Sequence, residues 1–241
     1  MEMSRLQGQE VAAIEHFSLL YEAFSDDSKR NEKSLTTKID EVAKAVSKFA
    51  EETGGIAVLS DRLMDATNAS LPMILAISAI NQKLIENGVR LKVSLVIESG
   101  QIASSHHIAC ALGFGASAVY PLAVNMRAQE LFGDDGCDEA MLRYRKAAEK
   151  SLMKTMGKVG LCTVESYIGG EFFEPNFLDT NDPVLTKYLP NIKTPVGGVG
   201  FSVIANSTAA WHAHMEKVTD NSDIPILGLF KERSEGAGHS Y

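Results

Sequence analysis

The 241-residue sequence has only three cysteines, Cys110, Cys137 and Cys162, and no two of them are near neighbours. No C-x-x-C pair exists, so neither a zinc site nor a tight iron–sulfur loop is written in the chain. The odd, sparse count also argues against a disulfide scaffold and fits a reducing compartment. Long apolar runs are missing too. Nothing approaches the roughly 20 residues needed to cross a bilayer, and Met1-Glu2-Met3-Ser4-Arg5 leads into no apolar signal core. The expectation is a cytoplasmic chain with no membrane partner. Basic charge is in deficit, with 23 Lys and Arg against 31 Asp and Glu, a net charge of -8. An acidic surface repels phosphate backbones, so nucleic acid is not an expected partner. H-E-x-x-H, G-x-G-x-x-G and the phosphate-binding G-x-x-x-x-G-K-S/T are all absent.

What is present is an ordinary folding composition, 45% hydrophobic and 22% charged, enough to bury a substantial core. Strand and helix patterns alternate. His16–Ala23 reads as a first strand. Leu35, Ile39, Val42, Val46 and Phe49 recur at helical spacing, with Ser34 as the expected cap and Gly54-Gly55 as the stop. Ile56–Leu59 and Val93–Ile97 are short, wholly apolar runs, as in parallel strands buried on both faces. Between them a nearly all-round apolar helix runs to Asn87-Gly88, with Ser70 as its expected cap and Pro72 in its first turn. Further elements are a helix over about 104–112, a strand over 118–120, a long helix over about 138–159, a strand over 161–165 and a helix over about 201–215. Residues 171–200 and the tail from Thr219 read as irregular. This predicts an α/β fold with a mainly parallel sheet and flanking helices, a partial or distorted (β/α) barrel, in one domain over 1–218 with a connector over 219–241.

Polar residues at the carboxyl ends of parallel strands are where such folds place their sites. Here they are Ser60, Asp61, Arg62, Glu98, Ser99, Tyr120, Glu165, Ser166 and Tyr167. Asp61, Arg62, Glu98 and Glu165 make a candidate polar cluster, and structural ion pairs are the favoured use. His106-His107 and the pair His212 and His214 diverge on their helices, which disfavours a metal site. Gly197-Gly198-Val199-Gly200 precedes a helix and could hold a phosphate, but packing is favoured over that use. Lys146, Lys150, Lys154 and Lys158 form one basic stripe. It is either a solvated face or a docking face for an acidic surface.

Several segments together resemble the large subunit of glutamate synthase. They are GGIAVLSDR (54–62), LPMILAISAINQKLIENGVRLKVSLVIESG (71–100), HHIACALGFGASAVYP (106–121), KSLMKTMGKVGLCTVESYIGGEFFEP (150–175) and GGVGFSVIA (197–205). The resemblance covers about residues 50–218 and is to the family's central domain. It implies an α/β topology related to an FMN-binding barrel, a role in linking an amidotransferase domain to an FMN domain, and a contribution to the ammonia tunnel between them. FMN and an iron–sulfur cluster would belong to the neighbouring domain, with none in this chain. The family's glutaminase uses an N-terminal cysteine, whereas this chain begins Met1-Glu2 and its first cysteine is Cys110. The flavin-binding glycine segments and the three-cysteine cluster motif are absent, and RSEGAGHSY (233–241) resembles the connector into the FMN domain. The resemblance therefore implies no complete catalytic site, no catalytic residue and no metal ligand. It also implies that Lys146–Lys158 is a contact with a neighbouring domain. The alternative is a stand-alone α/β small-ligand-binding protein or enzyme.

Overall fold

The computed structural model describes residues 12–24 and 26–215. Its centre is a four-stranded, wholly parallel sheet in the order β1 (Ile14–Ser18), β3 (Gly55–Ser60), β5 (Val93–Ser99), β6 (Ala118–Pro121). A two-stranded antiparallel ribbon, β2 (Leu20–Glu22) with β4 (Asn68–Ser70), lies beyond the carboxyl ends of β1 and β3. The expected strand 16–23 is thus two strands separated by Leu19, whose N–H and C=O bond to Ser60 O and Leu71 N. The sheet is open at both edges among the described residues, so no closed barrel forms.

The strands are laid down in sequential order across the sheet. With right-handed crossovers that order puts every connecting helix on the same face. Helix α1 (Ser28–Glu52) packs on α2 (Met73–Glu86), and α2 packs on α3 (Ser105–Gly113). The apolar spacing of α1 does what its period requires, since Leu35, Ile39, Val42, Val46 and Phe49 are all buried. Burial of such side chains contributes about 1.5–3 kcal/mol each. Helix α1 begins earlier than its apolar stripe, at Asp27, whose carboxylate accepts the Arg30 N–H at 3.0 Å. Ser34 is not a cap but bonds Glu22 O. Ser70 likewise belongs to β4, and the N-terminus of α2 is capped from afar, by Gln101 Oε1 accepting the Met73 N–H at 3.1 Å.

Helix α4 (Leu122–Lys158) starts directly after β6 and is broken at Gly133, where φ is 66° and only glycine is at ease. After Gly160 the expected strand 161–165 does not form. The chain instead makes a single turn, α5 (Val164–Tyr167), bonded to the carboxyl end of α3 through Gly169 N–H to Leu112 O at 3.0 Å. A β-branched run becomes a strand only with a free edge beside it, and here the chain lies at the far end of α3. Helices α6 (Pro183–Tyr188) and α7 (Phe201–Met215) close over α1 and α2. The tail from 219 lies outside the described residues.

Among the described residues only one face of the sheet is covered. Ala57, Leu59, Val93, Leu95 and Ile97 point to the helices and are buried. Ile56, Val58 and Val96, on the other face, are half-buried, and Ile14, His16, Ser94 and Ala118 are exposed. The reading of these strands as buried on both faces is therefore corrected. All the described helices that follow a strand in the series sit on one side, so the second face is left open.

Candidate functional site

The parallel register places side chains in transverse rows. Ser18 stands opposite Ser60, Ser60 opposite Glu98, and Glu98 opposite Tyr120. This makes a polar row on the open face at the carboxyl end of the sheet. Ser60 Oγ donates to Glu98 Oε2. Arg62 Nε and Nη2 donate to Glu98 Oε1 at 3.1 and 2.6 Å. The Arg62 side chain is half exposed while that of Glu98 is largely covered. The guanidinium hydrogen bond holds the Glu98 carboxyl below its ordinary range, with the Ser60 hydroxyl and the charge of His16 helping. Glu98 and Tyr120 in turn raise the pKa of Arg62. The row, with Arg62 beside it, thus carries a fixed carboxylate, a fixed guanidinium and three hydroxyl groups, facing outward. Sequence reasoning missed Ser18, which enters the row only through the register of β1 on β3, and His16, which lies on the same face one row back, opposite Val58.

Asp61 belongs to a different network. It is buried, and its carboxylate accepts Ser99 Oγ at 2.6 Å, Ser70 Oγ at 3.0 Å and the Gly100 N–H at 3.0 Å. Gln101 Nε2 extends the network to Ser70 Oγ at 2.7 Å. These bonds knot the ends of β3, β4 and β5 together and take up three of the roughly four acceptor positions of the Asp61 carboxylate. Ser70 and Gln101 were not foreseen as members, because they come from separate loops.

Glu165 is not part of either network. It sits exposed on α5, beside the carboxyl end of α3. Since α3 runs back across the sheet, that is the end opposite Asp61 and Glu98. The expected four-residue cluster is therefore corrected to Arg62 with Glu98, Asp61 apart, and Glu165 remote. Tyr167 is buried against Phe172, at 5.7 Å between ring centroids.

Two further features are consumed internally. Asp182 fills the N-terminus of α7: its Oδ2 accepts the Phe201 N–H at 2.8 Å while Oδ1 caps α6. A Cβ on Gly200 would lie 3.0 Å from that same carboxylate and one on Gly198 2.3 Å from Phe177 O, so these two are closely packed while Gly197 is open, and Asp182 already takes the helix N-terminus that a phosphate would need. Cys110 Sγ lies 3.6 Å from His106 Nε2, one helical turn away. Burial pushes this thiol up to about 11, so it is not a ready thiolate at neutral pH. Among the described residues no three His, Cys, Asp or Glu side chains gather as a metal site. No described helix is long and apolar enough to cross a membrane. Among the described residues the N-terminus of α7 is taken by Asp182, and the cysteines are dispersed, Cys137 buried and Cys162 exposed on a different segment.

The basic stripe is real. Lys146, Lys150, Lys154 and Lys158 are all exposed, and the ion pairs described on α4 instead join Arg127 to Glu130, Arg143 to Glu139 and Arg145 to Glu149.

An open, singly wound parallel sheet with a polar row on its bare face defines an α/β domain of barrel-type winding without closure. Comparison with known proteins narrows this. The chain belongs to the glutamate synthase central domain family, whose profile matches residues 1–177. It is 31% identical over 224 residues to the glutamate synthase [NADPH] large chain of Bacillus subtilis, covering 90% of this chain and 14% of that one. It is 32% identical over 204 residues to the ferredoxin-dependent glutamate synthase of Cyanidium caldarium, covering 78% and 13%. With the glutamate synthase [NADH] of Saccharomyces cerevisiae it shares 27% over 220 residues, covering 85% and 10%. The chain thus spans about a seventh or less of these relatives. Among solved structures, variants of flavocytochrome b2 match at 17% identity and a TM-score of 0.42, over 79% of this chain and 41% of theirs. At that level the likeness bears no weight.

Proposed function

We propose that this chain serves as the central domain of a cytoplasmic glutamate synthase, in glutamate formation from glutamine and 2-oxoglutarate. It would link the amidotransferase and FMN domains and support the ammonia passage between them, without completing a catalytic site of its own. The family match over residues 1–177 carries this reading. The geometry supports it: the polar groups at the strand ends are tied into internal networks, and among the described residues one face of the sheet is bare. FMN and the iron–sulfur cluster would sit in the adjoining domain. Arg62, Glu98 and Tyr120 would form polar wall or domain contact, and the Lys146–Lys158 stripe would meet an acidic neighbouring surface. The three relatives carry three different electron donors in their names at comparable identity.

The test is a glutamate synthase assay on the purified chain with its visible spectrum, alongside a chimera in which this segment replaces its counterpart in the B. subtilis large chain. A folded, colourless, inactive chain and an active chimera are expected. Flavin absorbance with glutamine-dependent turnover by the chain alone would overturn the proposal, as would a folded chimera unable to use glutamine.

A further inference from the structure

Beyond its break at Gly133, helix α4 has two faces. Tyr144, Ala148, Ser151 and Leu152 are half-buried, and Ser151 Oγ donates to Ser105 Oγ of α3 at 2.9 Å. On the other face Asp135, Glu139, Arg143, Lys146, Lys150 and Met153 follow at spacings of three and four, and all are exposed. They form one ribbon along the helix that nothing among the described residues covers.

Charge is segregated along this ribbon. Residues 133–142 carry four acidic side chains and no basic one, while residues 143–158 carry six basic side chains and one acidic. The helix dipole favours such an order only within the first and last turns, whereas Glu139, Lys146 and Lys150 lie further in. Lysines one turn apart repel one another. Asp135, Lys146 and Lys150 have no ion-pair partner among the described residues, the pairs on α4 being Arg127–Glu130, Arg143–Glu139 and Arg145–Glu149.

An acidic stretch followed by a basic one is complementary to its own reverse, and a two-fold interface requires a self-complementary surface. We propose that this ribbon docks a second copy of the chain, the two α4 helices lying antiparallel about a two-fold axis that passes between Leu142 and Arg143. The proposal names the acidic surface that the lysine stripe meets, and it rests on the docking role proposed for that stripe.

The axis pairs Asp135 of each copy with Lys150 of the other, and Glu139 with Lys146. Arg143, beside the axis, keeps Glu139 of its own helix at 2.9 Å. The same operation brings Met153 to Phe132, which are 64% and 58% exposed. Phe132 precedes the break, but a Cβ on Gly136 would lie 2.8 Å from Phe132 Cβ, so this side chain starts against the first turn of the ribbon. Charge thus sets the register at the middle of the contact, and an apolar pair covers each end. One helix pair is a small interface, so the association is weak and reversible. Its exposed ion pairs make it sensitive to salt.

Sedimentation velocity on the full chain, in about 50 mM and about 500 mM NaCl, tests this, because the Debye length differs about threefold between the two. A dimer is expected at low salt, with its Kd raised at least about tenfold at high salt. Two charge-reversed variants carry the argument further: Asp135→Lys with Glu139→Lys, and Lys146→Glu with Lys150→Glu. Each alone is expected to be monomeric with an unchanged far-ultraviolet spectrum, since all four side chains are exposed. Mixed together they are expected to form a heterodimer, because every reversed acid then faces a reversed base. If a reversal fails to fold, Asp135→Asn and Lys150→Gln serve instead, each weakening the dimer about threefold. A monomer at low salt would overturn the proposal. So would a dimer that the reversals leave intact, which lies on another surface, or a mixture that forms no heterodimer. None of these outcomes alters what the chimera above reports, and an inactive chimera would strike the linking role while leaving a salt-sensitive dimer in place.

Discussion

Replacing Asp61 by alanine tests whether the strand-end knot holds the sheet together. The buried carboxylate accepts three hydrogen bonds, from Ser99 Oγ, Ser70 Oγ and the Gly100 N–H. A hydrogen bond to a charged partner contributes about 1.5–3 kcal/mol. Ser70 keeps an alternative acceptor in Leu71 O at 3.2 Å, so its loss is cushioned. Ser99 is fully buried and loses the partner 2.6 Å away. Counting Ser99 and Gly100 at the low end gives a loss of about 3 kcal/mol for Asp61→Ala. Arg62→Ala is the control. Its side chain is half exposed, and its pairing with Glu98 lies at the surface, so about 1 kcal/mol or less is expected. Urea unfolding followed by circular dichroism measures both, with unchanged slopes required for the comparison. Equal losses for the two variants, or a loss under about 1 kcal/mol for Asp61→Ala, would refute the assignment of Asp61 as the tie between β3, β4 and β5.

Glu98 is held below its ordinary carboxyl range by Arg62. Its contribution to stability is therefore present above the unfolded-state value and lost as pH falls through the lower folded value, and Glu98→Gln should flatten that acid limb in unfolding measured at stepped pH. Asp65 accepts from the Asn68 side-chain amide at 2.9 Å and from the Thr67 and Asn68 N–H groups, each at 2.8 Å. These bonds pull its carboxyl down to about 2, which a carboxyl-resolved NMR titration should show. Gly115→Ala should cost about 2–3 kcal/mol in thermal unfolding, from strain and overpacking. The backbone φ there is +121°, and a Cβ would come 2.6 Å from the Asn81 side chain that Arg90 holds. Cys162, which is exposed, should react with a thiol reagent well before Cys110, whose buried thiol is pushed up to about 11.

Local chemistry was legible where the chain alone decides it. The runs 56–59 and 93–97 are strands and 104–112 is a helix, with Ser104 Oγ accepting the His107 N–H as a cap. The stripe from Leu35 to Phe49 faces the core because a 3.6-residue period admits no other arrangement. The favoured reading of Gly197–Gly200 as close packing also stands at Gly198 and Gly200. The errors share one cause. Ser34 and Ser70 are good caps by type, but Asp27 precedes one helix and Gln101 reaches the other from a residue 28 positions away. Residues 161–165 have strand composition but no edge to join. Glu165 looked like a strand-end carboxylate only because that strand was assumed.

By itself, then, the sequence determined the alternation of elements, the core-facing stripes and the family, since each depends on residue types at short spacing. Tertiary structure alone decided which face of the sheet is bare and which polar side chains meet. Pairing register is a long-range choice. It brings Ser18, Ser60, Glu98 and Tyr120 into one row from four separate strands, and it gives Asp61 partners from β4 and from the end of β5. No local pattern encodes those meetings, because the free energy that fixes them comes from packing the helices on one side of the sheet.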